Sequence, residues 1–88
     1  MTRPILNCEL HDYLEIACLF KIDVELLLAN GSSYVGTPLT THSDNGEEFL
    51  AFRSRENKTT VDILTLSLES MRALNPNTHF DRVVFSAN

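Results

Sequence analysis

Apolar residues at Leu10, Leu14, Ala17 and Cys18 recur at intervals of three and four, with Tyr13 at the edge of the stripe they form. That spacing predicts an amphipathic helix over about residues 8–19. Asn7 stands where an N-cap is needed, and Glu9 lies in the first turn, where a negative charge suits the helix dipole. Asp12 and Glu15 fall on the opposite arc, which they share with Ile16 and Leu19. After Lys21 the period changes to two, and strands are expected over about 23–30, 33–41, 48–54, 59–71 and 80–86. Asn30-Gly31 reads as a hairpin turn in which both residues accept positive φ. Gly36 and Pro38 mark a bend or an edge, residues 41–47 a polar turn, and Arg55-Glu56-Asn57-Lys58 a tight charged turn. The long strand slips phase near Ile63-Leu64, which signals a bulge or a strong bend. A helix followed by five bent antiparallel strands predicts a mainly β fold, a small and partly open barrel with an N-terminal helix, because closure disposes of exposed edges.

Composition narrows the picture. At 88 residues and 43% hydrophobic, the chain suits one core, so residues 1–88 are expected to form one domain. The 12 acids outnumber the 7 bases, a net charge of −5, which argues against non-specific nucleic-acid binding. The imbalance is uneven: residues 1–52 carry a net −6 and residues 53–88 a net +1. No Lys or Arg stands between Asp23 and Phe52, and a stretch of one sign suggests a field directed at a basic partner unless folding mixes the two halves. The apolar runs, such as Ile16 to Phe20 and Leu26 to Ala29, are far short of the roughly 20 residues that span a bilayer. No apolar leader stands at the N-terminus, so a cytoplasmic, membrane-free protein is expected. Cys8 and Cys18, separated by roughly 15 Å on a helix, cannot form a disulfide; Cys18 reads as a small buried hydrophobe.

Catalytic groupings are absent from the pattern. His11, His42 and His79 lie in different elements, the first on the helix and the others in loops, and nothing resembles a nucleophile elbow or a phosphate-binding glycine loop. Cys8-x-x-His11 offers two metal ligands on one helical turn, but no second pair completes a tetrahedral site. Glu47 and Glu48 are adjacent, so on a strand they face opposite ways and cannot act as a carboxylate pair. An enzyme is not expected, nor a cofactor or a metal. Small bent barrels commonly bind single-stranded RNA, and Arg53, Arg55 and Lys58 are the bases that could touch phosphate. The residues thus leave two readings open: an RNA-binding barrel with a basic hairpin, or an acidic module that docks on a basic protein surface.

The segment Asn7-Cys8-Glu9-Leu10-His11-Asp12-Tyr13-Leu14-Glu15-Ile16-Ala17-Cys18 resembles the opening of the Rof family, also called YaeO, of Rho-specific inhibitors of transcription termination. The family shows an Asn-Cys pair there, then an acidic helix with an Asp, then Leu-Glu-Leu/Ile-Ala-Cys. The later strands follow the same plan over about residues 4–86. What the resemblance implies is an Sm-like barrel acting as a bacterial antiterminator. Its partner would be the N-terminal part of the hexameric helicase Rho, covered over its primary RNA-binding site so that the transcript is denied access. The free protein is expected to be monomeric and to bind no nucleic acid directly. The Rho contacts carried over by the resemblance are Glu9, Asp12, Tyr13 and Glu15, with Asn45 from the middle loop. The sequence departs from the family at Leu10, His11 and Tyr13, whose equivalents are more polar or differently aromatic, and at Gly46, which replaces a polar side chain.

Overall fold

Helix α1 (Cys8–Leu19) is followed by six strands: β1 (Val24–Leu28), β2 (Ser33–Asp44), β3 (Glu47–Ser54), β4 (Thr60–Leu64), β5 (Leu68–Ala73) and β6 (Arg82–Val84). In this computed structural model the described residues are 8–77 and 79–85, with side chains described from His11 onward. The expected cap Asn7 and the side chains of Cys8, Glu9 and Leu10 lie outside that description. Leu14, Ala17 and Cys18 are buried beneath α1, where the helical stripe directs them. The helix ends in a Schellman motif: Ile22 N–H donates to Ala17 O at 3.0 Å and Lys21 N–H to Cys18 O at 3.3 Å. Lys21 sits at the left-handed position with φ 52°, and Ile22 then turns into the core.

All strand pairs are antiparallel and lie in one sheet of order β4-β3-β2-β1-β5-β6. In a flat sheet β4 and β5 would stand four spacings apart, about 19 Å. The chain joins them through one 3-10 turn, Thr65–Ser67, whose rise of about 2 Å per residue reaches only about 8 Å from Leu64 to Leu68. The sheet therefore curls on itself. Its concave side holds Val24, Leu26, Leu50, Phe52, Ile63 and Met71, and α1 lays Leu14, Ala17 and Cys18 against them in one cluster. The mainly β fold with one α-helix expected from the pattern is the fold observed, with six strands where five are expected, and the curl through the 3-10 turn is compatible with an Sm-like barrel.

Four expectations need correction. The single strand over 59–71 is two strands, because Thr65 turns inward at the phase slip and the chain crosses from one arm of the curl to the other. The polar stretch 42–44 is strand rather than loop: β2 runs on to Asp44 and pairs with β3 as an exposed ribbon closed by Asn45-Gly46. Both turn residues have positive φ, 50° and 77°, the two-residue hairpin geometry whose twist matches the strands. His42 consequently lies on β2 and not in a loop. The Asn30-Gly31 turn is the longer kind, since only Gly31 has positive φ (91°) and Leu28 N–H reaches across to Ser32 O at 2.8 Å.

Gly36 is buried where β2 crosses β3, and a Cβ at this position would lie 2.0 Å from the Arg53 carbonyl oxygen. Backbone cannot retreat as a flexible side chain can. Gly36→Ala is expected to cost about 3 kcal/mol, read as a lower denaturant midpoint; an unchanged midpoint would show that the strands have room to part.

Candidate functional site

The two groups of expected contact residues lie at opposite ends of the molecule. Strand β3 has the Asn45-Gly46 turn before it and the Arg55–Asn57 turn after it. Its eight residues separate those turns by about 26 Å. Helix α1 belongs to the Asn45 end, because His11 Nε2 meets Glu48 Oε2 at 2.5 Å, three residues beyond Asn45. His11 Nδ1 lies 3.1 Å from Glu15 Oε2, one helical turn further along. Glu48 in turn accepts a hydrogen bond at Oε1 from Thr65 Oγ1 at 3.1 Å, and Thr65 is 1% exposed inside the 3-10 turn. One polar chain thus runs from the helix face through β3 to the turn that closes the barrel.

Asp12 and Glu15 are exposed, as the helical phase predicts, while Glu9 contributes only backbone to the described structure. Tyr13 is half-buried, its ring edge-on to Phe80 at 6.1 Å, so it borders the acidic face and helps seat the helix on the β5–β6 loop. Ile16, expected on the outer arc, packs partly against the core, whereas Leu19 remains 73% exposed. Between α1 and β2 runs an open groove of about 700 Å³, walled by Asp12, Glu15, Ile16 and Leu19 on one side and Leu39 and Thr41 on the other.

Charge separates along the same axis. Among the described residues the carboxylates paired with arginine are Asp23, 3.2 Å from Arg55, and Glu25, 2.7 Å from Arg72. The acids of α1 and of the β2–β3 ribbon (Asp12, Glu15, Asp44, Glu47 and Glu48) meet no Lys or Arg among those residues; Glu15 and Glu48 share His11. At the other end, Arg53, Arg55 and Lys58 are all exposed, but Arg55 is committed to Asp23, which also accepts from Thr37 Oγ1 at 2.6 Å. Among the described residues Arg53 and Lys58 meet no carboxylate, the turn beside them also carries Glu56, and none of the aromatic contacts involves that turn.

Sequence spacing alone does not bring Glu48, Thr65 and Leu39 to the site. The i,i+4 pair His11–Glu15 is legible from spacing alone, but no local signal points from His11 to a residue 37 positions away. Among the described residues no group of three or more His, Cys, Asp and Glu is placed to hold a metal ion. No helix of the described residues is long and apolar enough to cross a membrane.

Comparison with known proteins agrees with the opening motif. Residues 5–85 match the family model for the modulator of Rho-dependent transcription termination, ROF. The chain belongs to the Rof family. Among solved structures it is similar to one described as YaeO bound to magnesium, from Vibrio cholerae O395, with 36% sequence identity and a TM-score of 0.78. That match covers 85% of this chain and 96% of the Vibrio chain. No curated protein matches the sequence. Membership in Rof makes the chain a modulator of Rho-dependent termination, a regulator with Rho as its partner.

Cys18 lies under the acidic face, and burial pushes its thiol up from 9.0 to about 11, with Lys21 opposing the rise and Glu15 adding to it. Because the folded value exceeds the unfolded one, keeping this thiol neutral stabilises the fold fully below about pH 9 and the benefit is lost as pH rises through about 11. Peptide mapping after alkylation at about pH 8 should find native Cys18 unmodified and the unfolded chain modified. Equal labelling in both states would contradict a sealed helix–sheet contact.

Proposed function

We propose that this Rof-family chain docks its acidic end over the primary RNA-binding site in the N-terminal part of Rho and so denies Rho its transcript. The observation that carries the reading is the grouping of charge: among the described residues Asp12, Glu15, Asp44, Glu47 and Glu48 gather at the α1 and ribbon end with no arginine or lysine partner, while Asp23 and Glu25 are paired with Arg55 and Arg72. A surface built to grip phosphates is basic, and carboxylates held on a rigid helix form charge-assisted hydrogen bonds with its Arg and Lys side chains. Glu9, Asp12 and Glu15 supply the negative charge, Tyr13 borders the contact, and Asn45 extends it from the ribbon. Such a modulator acts where transcription does, in the cytoplasm, and needs neither a catalytic centre nor a cofactor. In this reading the free chain is a monomer, with β6 covering the outer edge of β5.

The decisive variant is Asp12→Lys, which reverses an exposed charge that the fold does not use. It should abolish binding to purified Rho while leaving the thermal unfolding midpoint within a few degrees of the parent. The parent's affinity should fall as salt rises, since the attraction is between solvent-exposed charges. Full affinity in Asp12→Lys would remove the helix face from the interface. Micromolar binding of the free chain to a short single-stranded RNA, lost in Arg53→Glu, would favour the basic hairpin instead.

A further inference from the structure

The groove between α1 and β2 owes its second wall to an irregularity in the sheet. Pairing of β2 with β3 runs Pro38↔Phe52 and then Thr40↔Ala51, so Leu39 is an extra residue with no partner on β3. A bulge of this kind re-aims the side chain it carries, and Pro38, which has no N–H to give the ladder, is suited to stand beside it. Leu39 lines the groove opposite Ile16 and Leu19. The apolar lining is therefore a bulge leucine from the sheet and two helix residues, one of them largely solvated, together with the buried Cys18. Asp12 and Glu15 line the same groove from the helix, and Glu15 is fixed in place by His11, itself held by Glu48. Lys21 lies at the groove too, but its Nζ is turned to the Cys18 carbonyl at 3.4 Å, at the C-terminal end of the helix.

We infer that this groove is a socket for one arginine side chain of Rho, an assignment that rests on the docking reading above and adds to it a second wall and a defined occupant. The stem of the arginine lies along Leu39, Ile16 and Leu19, and its guanidinium reaches Asp12 and Glu15 at the end away from Lys21. Arginine suits the groove better than lysine. Its planar head donates to two carboxylates at once and is more weakly hydrated than an ammonium, so it loses less on leaving water beside apolar walls. An acidic face alone would accept any cation; the leucine walls select a long side chain whose stem can be covered.

The test is binding of purified Rho to the full chain and to variants that keep the fold, each checked by thermal unfolding. Thr40 is exposed and lines the groove, so Thr40→Arg supplies a resident guanidinium and should weaken binding about tenfold or more. Leu19→Ala removes stem cover without changing charge and should weaken it roughly threefold. Val84→Lys adds the same charge on β6, three strands from β2 in the sheet order, and should change affinity by less than about twofold. A short hexa-arginine peptide should shift the amide resonances of Ile16, Leu19, Leu39 and Thr41 more strongly than hexa-lysine at equal concentration. If Asp12→Lys loses binding while Thr40→Arg and Leu19→Ala keep it, the socket is wrong and the acidic docking face stands. If Asp12→Lys also binds normally, the docking reading fails and the socket with it. Equal weakening by Val84→Lys and Thr40→Arg would reduce the effect to net charge, and equal shifts from the two peptides would overturn the choice of arginine.

Discussion

Three residues, Thr65–Ser67, carry the chain between strands that a flat sheet would hold about 19 Å apart, and the rest of the structure accommodates that short connection. The sheet must curl, and curling gives it an inside and an open mouth. Helix α1 closes part of that mouth with Leu14, Ala17 and Cys18. The turn also anchors its neighbours: Ser67 O accepts from Ala29 N–H at 2.9 Å, holding the β1–β2 turn, and Thr65 Oγ1 reaches Glu48. Through Glu48 and His11 the same turn sets where the helix lies. A buried hydroxyl in a three-residue link thus helps orient the outer face of a helix that lies far earlier in the chain.

Curling also sorts the charges. The ribbon of β2 and β3 projects Asp44 and Glu47 at the end where α1 sits, while the β3–β4 turn brings Arg55 back to Asp23 at the other. Among the described residues, Asp23 and Glu25 of the acidic half meet arginines of the basic half, whereas Asp12, Glu15, Asp44, Glu47 and Glu48 meet no Lys or Arg. In the proposed docking, an acidic end held on a helix and a hairpin would steer a basic partner during encounter at little ordering cost.

Much of this was legible because its causes are local. Helical spacing placed Leu14, Ala17 and Cys18 inside and Asp12 and Glu15 outside. The Ile63-Leu64 phase slip announces the bend, although alternation alone does not divide the strands on either side of it. The ribbon escaped because Thr41 to Asp44 are polar on both faces: a two-stranded extension beyond the core has no buried side to impose alternation, and only Asn45-Gly46 marked it. Glu48, Thr65 and Leu39 escaped for another reason. Their roles depend on which strands the curl brings together, and sequence spacing does not record contacts made across the barrel. The Asn-Cys and Leu-Glu-Ile-Ala-Cys pattern identified the family, whereas the walls of the groove emerged only with the sheet register.

The central claim is that the acidic end takes the place of RNA on Rho. It is tested most directly by titrating the purified chain into Rho already carrying a fluorescent cytosine-rich RNA, at low and at physiological salt. The account predicts release of the RNA with an apparent affinity that weakens as salt rises. A ternary complex in which the RNA stays bound to Rho at saturating chain would contradict it.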